Sequence, residues 1–433
     1  MNIAMIGTGY VGLISGLCFA EFGFNVTCID KDKNRLNALK NGKMPIFEPG
    51  LEDLFNKHFF TTKKIKLSNQ MSPAISNAKV VFITVGTPTR RINEDADLSA
   101  VYDVAKEVAK NITNYCVIVT KSTVPVGTSR KIKNIMTRYI KGTNFDVASN
   151  PEFLREGSAI NDFMRPDRII IGTDTKKSEK ILKSVYRPLY LTETPIISTN
   201  IETAELIKYA SNSFLATKIA FINEVSNLCE KVGANIQDVS KAMGLDKRIG
   251  AKFLHAGPGF GGSCFPKDIK AFSVTAKKHK TKLSIVDAVN LSNKNRPIEI
   301  AKKIIKYFPK KSKINIALLG LSFKPNTDDI RDSTSIIIGN KLIEAGFKIC
   351  AYDPKSMENA KLKCKNFSFA NNVNDACANM DAVIIGTEWN EFRALDLSKL
   401  KRLVKKPVIF DLRNIYNPDD VKRIGWEYVS IGR

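Results

Sequence analysis

The chain has 433 residues, 43% apolar and 25% charged, which is too long for one hydrophobic core and ordinary for a folded protein of two or three domains. Its 67 Lys and Arg against 43 Asp and Glu give a formal charge of +24. The lysines are spread along the chain, so a solvated basic surface that leaves a few charges for an anionic substrate is expected, and a nucleic-acid partner is not. No stretch of 18 apolar residues marks a membrane span. The eight cysteines show no C-x-x-C spacing and there are only three histidines, so no metal is expected.

From Asn2 the chain reads as a strand, "NIAMIG", a helix, "YVGLISGLCFAEFG", and a strand, "NVTCID". This leaves no room for a signal peptide, and a cytoplasmic location is the expectation. Gly7, Gly9 and Gly12 form G-x-G-x-x-G between strand and helix, and Asp30 closes the second strand. Within one βαβ unit that spacing is a dinucleotide fingerprint. The glycines admit a tight turn and close backbone approach to a pyrophosphate at a helix N-terminus. Asp30 would accept the adenosine ribose hydroxyls, favouring NAD over its 2′-phosphorylated form. Arg35 nearby can reach a phosphate, but the acid is expected to dominate.

"AKVVFITVGTP", "NYCVIVTKSTVP" and "FDVASNPEFL" continue the βαβ rhythm of a doubly wound parallel sheet. In "NPEFLREG", Asn150 and Pro151 read as the cap and first residue of a helix that would carry Glu152 and Glu156 four apart. The stretch from Ile201 to Gly233 has no internal proline or glycine and predicts one long helix, a natural dimer interface. Lys208 and Asn212 lie four apart on it, as such residues often do on a solvated face.

"GFGGSCFPKD", residues 259–268, has the composition of an exposed loop followed by a helix with proline in its first turn. Cys264 falls at that helix N-terminus, where the dipole favours thiolate, with Lys267 and Asp268 on its face. The other cysteines sit in apolar strands and helices and read as core.

"INIALLGLSF", "FKICAYD" and "MDAVIIGTEW" then echo the first three strands. The expected fold is α/β: two Rossmann-like doubly wound parallel-sheet domains, 1–199 and 314–433, joined by a central helical region, 200–313. In the second sheet domain "GLSFKP" replaces "GTGYVG". Ser322 and Lys324 there argue against a dinucleotide and for another nucleotide, with Lys324 towards phosphate.

Together "GTGYVGL", "KSTVPVGT", "NPEFLREGSAI", "AELIKYASNSFLA", "GPGFGGSCFPKD" and "LSFKPNTDDIRDS" resemble the UDP-glucose/GDP-mannose dehydrogenase family, in order, over nearly the whole chain. Ser263, where the aminosugar branch typically has histidine, looks like the glucose branch; GDP-mannose and UDP-N-acetylmannosamine are the alternatives. The resemblance implies an NAD-dependent four-electron oxidation of UDP-glucose to UDP-glucuronate through a thiohemiacetal and thioester on Cys264. It implies that Lys208 and Asn212 stabilise the oxyanion, that Asp268 assists proton transfer, and that Glu152 with Thr123 serves the hydrolytic water. Val11, Asp30, Arg35, Thr87, Ser122, Glu156, Lys267 and Arg331 would line the NAD site. Glu152, Phe153, Leu154, Lys208 and Asn212, with Arg248, Phe253, Gly257, Phe260, Gly261, Lys324 and Arg413, would hold the UDP-sugar. The resemblance further implies a homodimer in which Arg248 enters the neighbouring subunit.

Overall fold

The computed structural model describes residues 1–90, 95–140, 144–309 and 313–433. The chain separates into two compact units, one of residues 1–211 and 270–281, the other of residues 212–269 and 282–433.

The first unit is built on eight strands: β1 (Asn2–Ile6), β2 (Asn25–Ile29), β3 (Ile65–Ser68), β4 (Val80–Ile83), β5 (Cys116–Thr120), β6 (Phe145–Ser149), β7 (Ile169–Thr173) and β8 (Ile196–Thr199). Their order is β3-β2-β1-β4-β5-β6-β7-β8. β7 runs antiparallel to β6, and β8 is parallel to β7. The central strands β4 and β5 are buried at every residue, as in a parallel sheet covered on both faces. Each fully buried Val or Ile contributes about 1.5–3 kcal/mol. The direction of strand addition reverses at β1, and ligands of such sheets bind beyond the strand C-termini at that point.

The second unit repeats the plan with β9 (Asn315–Leu319), β10 (Lys348–Tyr352), β11 (Ser368–Phe369), β12 (Ala382–Ile385), β13 (Val408–Asp411) and β14 (Glu427–Ser430). Their order is β11-β10-β9-β12-β13-β14, all parallel. The fold is therefore two parallel-sheet α/β bodies with a helical region between them in sequence.

The expected long helix runs from Ile201 to Val232. Its buried stripe carries Glu205, Lys208, Asn212, Ser213, Asn223 and Ser226 beside its apolar residues. No described helix is long and apolar enough to cross a membrane.

The helix expected at Asn150–Pro151 does not form. Residues 150–157 are irregular and the helix there is Ala159–Met164. Gly157 adopts φ +81°, which stops α-helix propagation. The buried Glu48 takes the Gly157 and Ala159 amides at 2.6 and 2.7 Å, replacing helical acceptors. The glycine loop also departs from expectation: residues 256–262 are buried rather than exposed.

Candidate active site

The glycine motif sits at the reversal point of the first sheet. Gly7 takes φ +105°, and a Cβ on it would lie 2.9 Å from the Thr84 carbonyl oxygen. A Cβ on Gly12 would lie 1.9 Å from the Gly7 oxygen. These two glycines are required by the protein's own packing. Gly9 is different, because a Cβ there would meet nothing within 4 Å. Gly9 also begins the helix Tyr10–Glu21, which has no side-chain cap and no acid in its first turn. An open cradle above an uncapped helix N-terminus fits the pyrophosphate of a dinucleotide.

Asp30, just past β2, accepts the Thr8 amide and hydroxyl at 2.8 and 2.7 Å and the Asp32 amide at 3.0 Å. Arg35 turns inward to it at 3.3 Å. Burial opposes the Asp30 charge, but the Asp32 amide, then Thr8, then Arg35 outweigh it and hold the carboxyl below its ordinary value. Ser122 donates to the Val85 carbonyl at 2.7 Å, and Thr87 to the Thr123 carbonyl at 2.9 Å. Val11 and Thr123 are half-buried, while Glu156 is buried. Tyr10, inside the glycine motif, donates to Glu48.

In the same unit, Lys208 donates to the Glu152 backbone oxygen at 2.6 Å and to its carboxylate at 3.1 Å. The other carboxylate oxygen accepts the Leu154 amide at 2.6 Å. The Phe153 ring has the Arg168 guanidinium at 3.5 Å and the Lys208 amine at 5.1 Å from its centroid. Both side chains of the Lys208–Glu152 pair are almost fully buried, so the solvated reading of Lys208 does not hold. A buried ion pair adds little net stability.

The second unit holds the cysteine. Cys264 is half-buried and directly precedes the helix Phe265–Lys278, its carbonyl accepting the Asp268 amide at 2.8 Å. Asn212 donates its side-chain amide to Asp268 at 2.7 Å, and Lys267 donates to the other Asp268 oxygen at 2.6 Å. Asp268 is 1% exposed and Asn212 6%. The solvated reading of Asn212 therefore fails too.

The glycine loop packs against its own unit. A Cβ on Gly261 would lie 2.3 Å from the Asp332 oxygen, and one on Gly257 3.7 Å from the Arg413 guanidinium. Arg413 donates to the Gly386 and Phe323 carbonyls at 2.8 and 3.3 Å. Phe260 meets Phe265 edge-on at 5.7 Å, and Phe253 holds φ +68°. The Lys324 amine lies 5.4 Å from the Phe323 ring centroid. Arg331 is paired with Asp329, and its carbonyl accepts the Gly262 amide. Arg248 stands apart: its side chain is 89% exposed and lies on Asp246.

Three residues that matter here carry no sequence signal. Arg296, buried in the helix Ser284–Tyr307, donates to the Gly257 carbonyl at 3.0 Å. Asn293, one turn earlier, bonds both the amide and the carbonyl of Phe260. Glu48 ties Tyr10 to the 157–159 turn.

The second sheet has an acid in the matching place. Asp353, the counterpart of Asp30, has one oxygen taken by Leu321, Ser322 and Trp389 and the other by the Lys355 and Ser356 amides.

This arrangement defines an α/β dehydrogenase with an NAD turn, a buried lysine–carboxylate pair and a cysteine at a helix start. Models of the UDP-glucose/GDP-mannose dehydrogenase family match the chain in three parts: the NAD binding domain over residues 1–190, the central domain over 202–295 and the UDP binding domain over 317–418. The chain belongs to the UDP-glucose/GDP-mannose dehydrogenase family, and its cofactor is NAD. It is 50% identical to the UDP-glucose 6-dehydrogenase of Rhizobium meliloti (strain 1021), over 100% of both chains. Among solved structures, a UDP-glucose dehydrogenase from the archaeon Pyrobaculum islandicum superposes with a TM-score of 0.91 at 33% identity, covering 99% of this chain and 96% of that one. A UDP-D-ManNAc dehydrogenase from Pyrococcus horikoshii gives 0.86 at 25%, covering 100% and 99%.

Proposed function

We propose that this protein oxidises the C6 alcohol of UDP-glucose to the carboxylate of UDP-glucuronate, with Cys264 as the covalent nucleophile. The observation that carries the reading is the placement of Cys264 at the start of the Phe265–Lys278 helix, on the same helix as the Asn212-bound Asp268. Glucose as the sugar is supported by 50% identity to the Rhizobium enzyme and by Ser263.

Gly7, Gly9, Val11, Gly12, Asp30, Arg35, Thr87, Ser122, Glu156, Lys267 and Arg331 would hold NAD, which would supply the hydride acceptor for two successive oxidations. The Cys264 sulfur adds to the aldehyde carbon left by the first oxidation. The resulting thiohemiacetal is tetrahedral and can lose a second hydride, leaving a thioester. Lys208 and Asn212 stabilise the oxyanion by donating to it. Asp268 relays the proton, and Glu152 with Thr123 orients the water that cleaves the thioester and frees the thiol. Overall, alcohol and water become carboxylate, releasing two hydrides and three protons. Phe153, Leu154, Phe253, Gly257, Phe260, Gly261, Lys324 and Arg413 hold the UDP-sugar. The working divisions are 1–199 for cofactor, 200–313 for the central helices and 314–433 for UDP.

The reading extends to a cytoplasmic homodimer. Phe214, Phe221 and Leu228, seven apart on the Ile201–Val232 helix, are 66, 50 and 61% exposed. An apolar stripe on one helix face suits a second copy. Arg248, lying at the surface, serves the neighbouring subunit's sugar. Incubating the protein with NAD and UDP-glucose, GDP-mannose or UDP-N-acetylmannosamine tests the reading. NADH should form with UDP-glucose, and formation with another sugar alone would overturn the choice.

A further inference from the structure

Lys121 follows β5 and is 3% exposed. Its amine donates to Asn150 Oδ1 at 3.1 Å and to the Tyr186 hydroxyl oxygen at 3.2 Å. The ring centroids of Phe82, Phe163 and Tyr186 stand 5.9, 5.7 and 5.9 Å away. Among the described residues no carboxylate pairs with it. This is a lysine amine in an aromatic cage with neutral partners, a placement that desolvation opposes.

The two neighbours of the amine also bond elsewhere. Tyr186 donates to the same Asn150 oxygen at 2.5 Å, and Asn150 Nδ2 donates to the Ile170 carbonyl at 2.7 Å. Both neighbours therefore stay satisfied without Lys121. What lies downstream is more informative. Asn150 directly follows β6 and is two residues from Glu152, whose backbone oxygen and carboxylate both hold Lys208.

The groups facing the amine are Glu152, Lys208, Cys18 and Tyr186. Burial pushes the Cys18 thiol up to about 12 and raises Tyr186 too, so both stay neutral near physiological pH. Glu152 and Lys208, paired at 3.1 Å, are the other two. Burial pulls the Lys121 pKa down to about 8; Glu152 opposes that fall and Lys208 adds to it.

We propose that Lys121 is a positioning residue for the Glu152–Lys208 pair: its amine orients Asn150, and with it the backbone carrying Glu152, while its charge biases proton sharing within the pair. This rests on the dehydrogenase reading above, and the two fail in different ways.

The test is Lys121→Met, whose unbranched apolar side chain suits the cage. Because folding disfavours the charged amine, its burial opposes folding most below about pH 8, and the opposition fades as pH rises towards the ordinary lysine value. The variant should therefore melt at or above the wild-type temperature at neutral pH, with any advantage shrinking above about pH 8. Its kcat should fall about tenfold or more, with KM for NAD within about twofold and an altered pH dependence of kcat. Lys121→Gln, which keeps a donor without the charge, is read the same way if the Met variant does not fold. Unchanged turnover would overturn the inference. So would a loss of turnover that follows a lowered melting temperature while the pH profile stays the same. A wild-type protein that makes no NADH from UDP-glucose, GDP-mannose or UDP-N-acetylmannosamine overturns the dehydrogenase reading itself, and this inference falls with it.

Discussion

Asn212 donates its side-chain amide to the Asp268 carboxylate across 2.7 Å, joining the Ile201–Val232 helix to the helix that Cys264 begins. The other Asp268 oxygen is held by Lys267 at 2.6 Å. Both sit where water is scarce, Asp268 being 1% exposed. Removing the carboxylate therefore leaves a buried amide and a partly buried ammonium without their acceptor. Asp268→Ala should lower stability by about 3–5 kcal/mol and reduce kcat strongly. Asn212→Ala should reduce kcat at a smaller loss of stability, about 1–3 kcal/mol. Thermal melts and steady-state kinetics separate the two effects; wild-type turnover in either variant would remove the pair from the mechanism.

Gly9 and Gly12 should respond oppositely to the same added methyl. At Gly12 the new Cβ would lie 1.9 Å from a backbone oxygen, so Gly12→Ala should destabilise the fold by about 1–3 kcal/mol or more. At Gly9 it meets nothing, so Gly9→Ala should melt like the wild type. It should nevertheless bind NAD more weakly, because the methyl fills the cofactor's cradle. Calorimetric titration with NAD beside a thermal melt checks both. A Gly9→Ala protein with unchanged NAD affinity would mean the cofactor does not approach that backbone.

Asp30 ties a test of cofactor choice to the pH dependence of stability. Its folded-state pKa is depressed, so its stabilisation is present above the ordinary carboxylate range, about pH 4, and is lost as pH falls through the lower folded value. The stability gap between wild type and Asp30→Asn should be widest at neutral pH and close under acid. Asp30→Ala should also narrow the preference for NAD over its 2′-phosphorylated form, since the carboxylate repels that phosphate. Discrimination that survives the change would show that Asp30 does not face the ribose.

The apolar stripe on the long helix gives a test of assembly. Phe221→Glu places a charge at a position 50% exposed in the single chain, so the monomer should fold normally. Sedimentation should show the wild type as a dimer and the variant shifted towards monomer, with activity falling if Arg248 serves the neighbouring site. A wild type that sediments as a monomer and is fully active would contradict the dimer.

How much of this was legible in the sequence depended on how local each feature is. Gly7, Gly9, Gly12 and Asp30 are spaced by one turn and one βαβ unit, so the motif could be read without knowing what packs around it. Cys264 could be placed at a helix start because Pro266 lies in its first turn. The Asn150–Pro151 helix was misread because its competitor is remote: Glu48 captures the Gly157 and Ala159 amides from 109 and 111 residues away. Lys208 and Asn212 look like residues of a wet helix face, and only packing reveals them on the buried stripe. Arg296 reaches the Gly257 carbonyl across 39 residues, and no spacing rule announces it. Lys121 directly follows the apolar run of β5, with nothing beside it to show that its amine points into a cage.

The central claim is that Cys264 carries the sugar between two oxidations, and the stoichiometry of the reaction reads it most directly. NADH is followed by absorbance while UDP-glucose and UDP-glucuronate are quantified by chromatography, with a hydrazide present to capture free aldehyde. The wild-type protein should form two NADH for each UDP-glucose consumed, with no aldehyde captured. Cys264→Ala should give no net carboxylate while binding NAD and UDP-glucose with affinities within about twofold of wild type. A ratio of one NADH per sugar with aldehyde trapped in solution, or UDP-glucuronate formed at the wild-type rate by Cys264→Ala, would contradict covalent catalysis by this cysteine.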